Sequence, residues 1–553
     1  MKLPFPLRAR AFPPLILGLC FCTPVSPACA DLGQAKIPRH RYTNIIFISI
    51  DTLRRDHLGC YGYERNTSPN IDLLADRSVL FENFIAQAVL TPVSQMSIFS
   101  SRYPRANGLV SFQVPKDAIT TVNLPNILKV YGYTNAAFLS SPEFIQRGSS
   151  KIKGNYKNSF DDLFDDFVPA NKPWRKTPVE ALDWINKNKG KKFFLWLAVG
   201  TVHFPFTHAV PPPYKTMYDP PGYTPFFCGP CGIEDEKCGD EIGYGVLSRI
   251  YKGNFYVDSK PLHRLSKEDI DYIVGRYDAG IHYTDLFVGE VIELIKKLGL
   301  DEKTLVVLHS THGEDLGEHG YFMHYDLYDT EVKNALLLKF PEGGATPQRI
   351  AAQVQGIDIM PTILSYLDIP INHESQGKSL LPLIETGDES GLSEYAYMNR
   401  LPLWEYLVNR RNVHFKSRGG CTDTTGEQEA LEAYSWFLSE AFADFTPADP
   451  PYYPAIRTNE WKLILRNNKE VLEKTSWWSF VSGSSVEVRE VELYDLKNDP
   501  HEVDNVAGKH PDVVQRLKKQ LLEWDAAMQS LAKKGVGYDE KTTILPYPGV
   551  MDP

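Results

Sequence analysis

Histidine and acidic side chains are dense in the stretch Thr311–His319, which reads THGEDLGEH. Together with His324, the stretch holds three histidines and three acids within fourteen residues, directly after a short apolar run. A solvated charge run is a poor explanation, because imidazoles and carboxylates clustered behind an apolar strand are typical of functional sites. The cluster therefore predicts a site for a divalent cation or for an anion.

A second candidate group is the hydroxyl of Thr91, which opens the run TPVSQMSIF. Threonine followed by proline and a helix-like apolar pattern predicts that a helix begins here. The hydroxyl would lie at the positive end of the helix dipole, where an anionic ester is also bound favourably. Thr91 can act as a nucleophile if a metal lowers the pKa of its hydroxyl. The alternative is that it only caps the helix.

Two further polar groups each follow an apolar run. Asp51 comes directly after Asn44–Ile50, and His203 stands shortly after Phe193–Val199. A carboxylate just beyond a buried strand can ligate a metal, and capping of the next turn explains Asp51 equally well. His203 can give a proton or a charge-assisted hydrogen bond to an anionic substrate, or it can be structural.

Three nearly continuous apolar runs have to position these groups, and they are Asn44–Ile50, Phe193–Val199 and Leu305–Leu308. Continuous apolarity is typical of strands that are buried on both faces, as in a parallel sheet. Helical patterns, such as Leu124–Tyr131 and Asp269–Leu298, lie between them. The alternation predicts a doubly wound α/β sheet flanked by helices, with ligands bound at the carboxyl ends of the strands.

The chain is predicted to contain a large catalytic domain, residues 41–368, and a smaller C-terminal α+β subdomain, residues 369–553. The second part begins with irregular, aromatic and Pro-rich sequence, and strand-like patterns return at Trp461–Leu465 and Val491–Leu496. An amphipathic helix is predicted from about Pro511 to Leu531.

Residues 1–30 are typical of a signal peptide. Basic Lys2 and Arg8 precede the apolar run Phe12–Cys22, and a small-residue cleavage signal ends at Ala30. A membrane anchor is the alternative, but spanning a bilayer takes about twenty apolar residues. We therefore expect an exported protein, periplasmic or secreted, with no transmembrane segment in the mature chain.

Export favours disulfides, and five cysteines remain after the predicted cleavage: Cys60, Cys228, Cys231, Cys238 and Cys421. Three of them cluster in a Pro- and Gly-rich stretch, where half of a zinc knuckle and a disulfide-stapled loop are alternatives. The stapled loop is favoured because a fourth zinc ligand is not evident. An odd number leaves one free thiol, which we expect at Cys60.

The charge balance narrows the class of partner. A net charge of −10 over 553 residues leaves no basic footprint for nucleic acid or for an anionic membrane surface. The expected partner is a small-molecule, glycan or lipid substrate.

The motifs described above resemble those of the sulfatase family within the alkaline phosphatase superfamily. DTLRRDHLGCYGY (51–63) and SPNIDLLADRSVLFENFIAQA (68–88) are similar to its first strand end, metal loop and first helix, THGEDLGEHG (311–320) to its Asp-His-Gly-Glu motif, HFPF (203–206) to its His-x-Pro motif, and GIDIMPTIL (356–364) to its Asp-x-Met-Pro-Thr helix. RTNEWKLIL (457–465) and VELYDLKNDPHEVDNVA (491–507) look like its carboxy-terminal signature. The resemblance runs from about Asn44 to Trp524 and implies an alkaline-phosphatase-like fold.

The resemblance also implies a mechanism in which one divalent cation activates a nucleophile while basic residues bind the ester. The implied metal ligands are Asp51, Thr91, Thr311 and His312, the implied catalytic residues are Thr91, His203 and His324, and the implied substrate-binding residues are Gln95, His203 and His324. The resemblance implies Ca²⁺ as the cation, whereas the imidazole of His312 favours Zn²⁺ or Mn²⁺.

The nucleophile motif differs from the family pattern. Sulfatases begin this motif with Cys or Ser, convert that residue to formylglycine and follow it with x-Pro-x-Arg. This chain has Thr91, Val93 and Gln95 at the corresponding positions. Threonine cannot yield the same aldehyde, so no formylglycine is expected, and a threonine alkoxide is the physical substitute.

The metal positions differ as well. Thr311 replaces the metal-binding Asp of the family, and Thr52 replaces the second acid of its calcium-type members. Loss of these charges predicts a large drop in metal affinity unless Glu314 or Asp315 substitutes. The sequence therefore predicts an exported hydrolase of sulfate or phosphate esters with a metal-assisted Thr91 nucleophile. The alternative is a catalytically lapsed relative that binds a sulfated or phosphorylated glycan or lipid.

Overall fold

The structure is a computed structural model, and it describes residues 43–110, 122–140, 163–168, 176–204, 206, 210–225, 247, 250–251, 254–257, 260–324, 326–371, 374–400, 453–466 and 491–533. The predicted signal peptide and the cysteines at 228, 231, 238 and 421 lie outside these residues. Cys60 lies within them and is a free thiol, as expected. No helix in the described ranges is long and apolar enough to cross a membrane.

The secondary structure alternates between strands and helices through most of the chain. The strands are β1 (Asn44–Ile50), β2 (Val79–Ile85), β3 (Thr134–Leu139), β4 (Asp166–Val168), β5 (Phe193–Val199), β6 (Ile250–Tyr251), β7 (Asn254–Val257), β8 (Lys260–Arg264), β9 (Thr304–Ser310), β10 (Asp315–Leu316), β11 (Phe322–Met323), β12 (Lys333–Lys339), β13 (Gln348–Gln355), β14 (Ala396–Arg400), β15 (Tyr453–Arg457), β16 (Trp461–Leu465) and β17 (Val491–Asp495). The helices are α1 (Pro69–Ala75), α2 (Thr91–Ser100), α3 (Pro104–Asn107), α4 (Leu124–Val130), α5 (Lys176–Asn188), α6 (Lys267–Lys297), α7 (Asp329–Val332), α8 (Ile359–Tyr366), α9 (Leu381–Thr386) and α10 (Pro511–Lys533).

A large central sheet forms the core, with the strand order β13–β2–β12–β9–β1–β5–β3–β4. The three apolar runs of the sequence are its strands β1, β5 and β9, and all seven residues of each are buried. β1 lies between β5 and β9 and is parallel to both. The predicted α/β sheet flanked by helices is thus confirmed, with the difference that β12 runs antiparallel to its neighbours β2 and β9.

Two helices matter most for the functional groups. The long α6 begins at a capping box formed by Ser266 and Asp269, which satisfies backbone donors at its first turn. Every residue of α2 is buried, and the helix ends at Ser101, whose φ of 53° lies in the left-handed region. The Ser101 hydroxyl donates to the carbonyl of Ile357 at 2.7 Å, which fixes the end of α2 against the chain before α8.

The C-terminal part forms its own antiparallel sheet in the order β14–β15–β16–β17, as the α+β prediction required. The amphipathic helix α10 packs on one face of this sheet through Leu517, Leu521 and Trp524. Tyr103 and Ile357 of the first part belong to the same apolar cluster, so the two parts share buried surface.

We expect Gly377→Ala to destabilise the fold, because an added Cβ would lie 1.9 Å from the carbonyl oxygen of Ile357. The backbone amide of Gly377 also bonds Ser101. Any movement that relieved the clash would therefore also have to shift the end of α2. The predicted loss is about 3 kcal/mol of unfolding free energy, measured by urea denaturation. Gly391→Ala is the matched control, since a Cβ at Gly391 meets nothing within 4 Å. Equal stability of the two variants would contradict the packing argument.

Candidate active site

The predicted site residues converge at the carboxyl edge of the central sheet. Asp51 directly follows β1, and its backbone amide donates to the carbonyl of Val199 at the end of β5. Thr311 directly follows β9, and its amide donates to the carbonyl of Ile50. Because neighbouring parallel strands end at one edge, the groups that follow them meet there, below the start of α2.

The Thr91 hydroxyl occupies the centre of the cluster. Its Oγ1 lies 3.0 Å from both carboxylate oxygens of Asp51 and 3.2 Å from Nε2 of His312. Thr91 does not cap α2, because it is the first residue of the helix, and Leu90, which occupies the N-cap position, makes no side-chain cap bond. The hydroxyl instead faces two bases, which is the arrangement expected of an activated nucleophile.

His312 faces the hydroxyl with a free lone pair. Its Nδ1 lies 3.0 Å from the carbonyl oxygen of Gly313, and a carbonyl can only accept, so Nδ1 carries the hydrogen and Nε2 does not. Burial, helped by the neighbouring His324, lowers the pKa of His312 to about 3. His312 is therefore neutral near pH 7, with the lone pair of its Nε2 directed at the Thr91 hydroxyl.

Asp51 is completely buried and is surrounded by donors. Besides Thr91, the hydroxyl of Thr311 donates to its Oδ1 at 2.6 Å. Burial opposes ionisation of Asp51, but His312 and the bond from Thr311 hold its pKa below the usual value. The side chain is thus a carboxylate whose lone pairs are already engaged by two hydroxyls.

Two more of the predicted histidines form the facing wall. The ring centroids of His203 and His324 lie 5.0 Å apart, and those of His312 and His324 lie 4.5 Å apart. His203 is oriented by its Nδ1, which lies 2.6 Å from the carbonyl oxygen of Phe204. The structure therefore brings the three histidines of the prediction to one pocket with the nucleophile candidate.

Glu314 is a site residue that sequence reasoning recognised only as a substitute ligand. It is fully buried, and its Oε2 lies 3.2 Å from Nδ1 of His324. Its Oε1 has no hydrogen-bond partner among the described residues, and burial raises its pKa well above the usual value. Asp315, the other acid considered, bonds His319 instead. The position of Glu314, two residues beyond His312, is the sequence signal that could have identified it as a site residue.

Gln95 lies one helical turn beyond Thr91, in a layer beneath the pocket. Its Oε1 accepts from the Ser49 hydroxyl at 2.9 Å. Ser49 also lies 2.7 Å from Nε2 of His309 and accepts from Nε1 of Trp196 at 3.0 Å. We call Ser49, Gln95, Trp196 and His309 the buried polar layer. The Nε2 atom of Gln95 is buried without a hydrogen-bond partner in the described part of the chain.

Thr52 carries backbone strain directly after Asp51. Its φ of 53° is an outlier for a β-branched residue, and its buried hydroxyl has no partner among the residues described. The Tyr277 hydroxyl donates to the Thr52 carbonyl at 2.7 Å and accepts from the Arg54 amide at 2.8 Å. Strain held by such neighbouring bonds is typical of functional sites.

These features are a buried cluster of histidines, one carboxylate and hydroxyls at the carboxyl edge of an α/β sheet, and the sequence comparisons identify the family of the chain. A family profile described as Sulfatase matches residues 43–369. The chain belongs to the sulfatase family. Arylsulfatase K of Bos taurus is 26% identical over 356 residues, covering 63% of this chain and 54% of that protein. The match thus covers about half of the length of this curated relative.

Other relatives and solved structures are similar to this chain. Ulvan-active sulfatase of Formosa agariphila is 24% identical over 431 residues, covering 72% of this chain and 76% of that protein. The phosphonate monoester hydrolase of Agrobacterium radiobacter has a TM-score of 0.60 at 18% identity, covering 88% of this chain and 96% of its own. A protein solved with its substrate D-glucosamine-2-N,6-O-disulfate has a TM-score of 0.59 at 17% identity. The match covers 90% of this chain and 99% of that protein's chain. The structural likenesses establish the alkaline-phosphatase-like fold.

Members of this family generally depend on a divalent cation, and the donors of this chain do not fit one. The four predicted ligands converge, but Asp51 alone carries a formal charge, and its oxygens already accept from Thr91 and Thr311. Calcium requires six to eight oxygen ligands, and zinc prefers imidazole, thiolate and carboxylate. Within the described ranges no group of three or more His, Cys, Asp or Glu side chains is arranged to hold a metal ion.

We expect Thr311→Asp to raise the affinity for Ca²⁺ or Mn²⁺ at least about tenfold, because it places a second carboxylate beside Asp51. Without metal, the two adjacent carboxylates should destabilise the variant near pH 7, and added cation should restore its melting temperature. Calorimetric titration and thermal unfolding measure both effects. Thr311→Asn is the control of similar size without charge. Tight stoichiometric binding of a cation by the unaltered protein would contradict the fit argument.

A pH dependence of stability is expected from the buried polar layer. Burial lowers the pKa of His309 from 6.5 to about 4. Between these values the unfolded chain binds a proton that the folded chain does not, so the stabilisation is complete above about pH 6.5 and is lost as the pH falls. His309→Gln should reduce the slope of unfolding free energy in this window by about 1.4 kcal/mol per pH unit. Urea unfolding at several pH values measures the slope, and an unchanged slope would refute the assignment.

Proposed function

We propose that this protein hydrolyses sulfate esters, with Thr91 as the nucleophile and without a resident divalent cation. The observation that carries the proposal is the contact of the Thr91 hydroxyl with both Asp51 oxygens and with His312 Nε2. A threonine hydroxyl is a weak nucleophile unless a neighbouring base takes its proton. The positive end of α2 also favours the anionic group under attack.

The proton route follows from the side-chain geometry. The oxygen of Thr91 forms a bond to the sulfur of the ester while its proton passes to Nε2 of His312. Burial keeps Glu314 protonated and lowers the pKa of His324 to about 3, so Glu314 donates to Nδ1 of His324 and leaves a hydrogen on its Nε2. That hydrogen passes to the departing ester oxygen as the sulfur–oxygen bond breaks, and Nδ1 takes the proton of Glu314.

His203 completes the proposed ester-binding wall. Its ring lies beside that of Phe204, tilted by 36° at a centroid distance of 4.3 Å, and the ring of Phe204 lies 5.7 Å from that of His324. This aromatic edge suits a ring-shaped leaving group, because flat rings pack favourably on aromatic faces.

Water then attacks the sulfur and gives one proton to Nε2 of His324, while Nδ1 of His324 returns a proton to Glu314. The bond between sulfur and the Thr91 oxygen breaks as His312 returns its proton to that oxygen, and hydrogensulfate leaves and loses its last proton to solvent.

The names of similar proteins favour a sulfated carbohydrate as the substrate. Relatives include an iduronate 2-sulfatase of Mus musculus and an ulvan-active sulfatase, and one structural neighbour holds a disulfated glucosamine. The export predicted from the sequence agrees with a glycan substrate outside the cell. Phosphate esters are the related class to be tested beside sulfates.

A second candidate function is binding of a sulfated glycan without turnover. One observation favours it: Asp51 is already satisfied by two hydroxyls, and Gln95 stands where the family has an arginine. In this case the pocket keeps its shape and its histidines but lacks the charge that activates the nucleophile.

Removal of the Thr91 hydroxyl distinguishes the two functions. We expect the unaltered protein to cleave para-nitrophenyl sulfate and Thr91→Ala to lose at least about a thousandfold in kcat/KM, because no other described hydroxyl contacts both bases. Thr91→Ser should retain turnover within about tenfold. Release of para-nitrophenol measures each rate, with para-nitrophenyl phosphate as the parallel substrate.

Ser97→Ala is the matched control, because Ser97 is a buried hydroxyl on the same helix that donates to the Val93 carbonyl. It should leave turnover unchanged. If neither ester is cleaved by the unaltered protein, and if Thr91→Ala binds a sulfated glycan as tightly as that protein does, the second function replaces the first.

A further inference from the structure

Residues 326–332, which we call the bridging segment, lie between the candidate site and the C-terminal sheet. The segment begins two residues after His324 and includes α7. Its Leu327 and Val332 are buried in one apolar cluster with Met398 and Ile464 of the C-terminal sheet. The segment therefore contacts the second part of the molecule directly while it continues from a histidine of the pocket.

The bridging segment also supports the strand end that carries His312. The amide of Gly313 donates to the Glu331 carbonyl at 2.6 Å. A Cβ at Gly313 would lie 2.0 Å from the carbonyl oxygen of Thr330, so the two backbones are in close contact. The Glu331 carboxyl accepts from the Asp326 amide at 2.8 Å. A shift of the segment would thus move His312 as well as His324.

Cations of the C-terminal sheet hold the middle of the segment. Arg457 donates two parallel bonds to Asp329, from Nε at 3.0 Å and from Nη2 at 2.8 Å. Lys462 lies 2.6 Å from the same carboxylate and 2.7 Å from Glu502, and it donates to the Leu327 carbonyl at 2.9 Å. Glu502 in turn accepts from the backbone amide of Asp329.

A second set of charges holds the start of the segment. Arg466 bonds Asp326 at 2.8 Å and Glu492 at 2.9 Å, and Arg400 lies 3.3 Å from Asp326. The Tyr328 hydroxyl donates to Glu492 at 3.1 Å. The network as a whole contains the four cations Arg400, Arg457, Lys462 and Arg466 and the four carboxylates Asp326, Asp329, Glu492 and Glu502.

Burial makes this network selective for one arrangement. Each of the four cationic side chains is at most 6% exposed. A buried charge that loses its partner is strongly unfavourable, so a buried ion pair tolerates little displacement. The four cations keep their partners when Asp326 and Asp329 stand where they do, and these contacts fix the start and the middle of the segment.

We propose that the C-terminal sheet positions His312 and His324 through the bridging segment, with Arg457 and Arg466 as positioning residues. Neither arginine touches the reacting atoms. The proposal rests on the proposed function only where turnover is its readout, because the position of the segment can be measured independently.

The test compares Arg457→Lys with Arg105→Lys in the full chain. Lysine keeps the charge at 457 but cannot form the two parallel bonds to Asp329. Arg105 is the matched control, because its side chain is 1% exposed and also joins the two parts, through Asp525 of α10 at 2.7 Å. Both variants therefore weaken a buried ion pair between the parts, but only one weakens the hold on the bridging segment.

Hydrogen exchange followed by mass spectrometry gives the first readout. We expect Arg457→Lys to speed exchange at least about tenfold in peptides covering Gly313 and residues 326–332, because their protection depends on the segment. The second readout is turnover, where kcat should fall about tenfold or more while KM changes less. Arg105→Lys should keep both quantities within about twofold of the unaltered protein.

The proposal is overturned if Arg457→Lys leaves exchange at Gly313 unchanged, or if Arg105→Lys raises it equally. Arg466→Lys provides the same comparison at Asp326 if the first variant does not fold. If the unaltered protein cleaves no ester, the proposed function fails, while the exchange measurement still decides whether the sheet holds the segment.

Discussion

The rest of the site depends on the need to satisfy one buried carboxylate. Asp51 is placed at the end of β1 with β5 and β9 on either side, fully removed from water. A buried carboxylate is costly unless donors surround it. Thr91 and Thr311 supply those donors, and in doing so they bring the start of α2 and the end of β9 together. The contact of the nucleophile candidate with His312 follows from that convergence.

The pocket is assembled from distant parts of the chain, which explains why changes at a few positions alter its chemistry without altering the fold. The scaffold is that of the sulfatase family, and its core consists of strands whose burial does not depend on the pocket residues. Thr311 therefore contributes no ligand charge at this edge, while the neighbouring strands β1 and β9 keep their register. Function on this scaffold has to be argued from its donors rather than from its shape.

The sequence predicted the parts of this structure that depend on local pattern. β1, β5 and β9 and their polar ends were evident because continuous apolarity marks strands buried on both faces. The antiparallel direction of β12 was not evident, because a single apolar run does not indicate in which direction a strand runs. The side-chain directions of Glu314 and Gln95 depend on tertiary packing, and Arg457 bonds Asp329 across 128 positions of sequence. Such pairings leave no periodic signal in one sequence.

The side chains of the buried polar layer limit which residue position 95 can accept. Gln95 shares its space with Ser49, Trp196 and His309, which offer a hydroxyl and two ring nitrogens but no carboxylate. A guanidinium placed there alone would be a buried charge without an anion. An arginine at this position would therefore need a carboxylate from a neighbouring side chain. The layer therefore couples the side chain at position 95 to the identities of Ser49, Trp196 and His309.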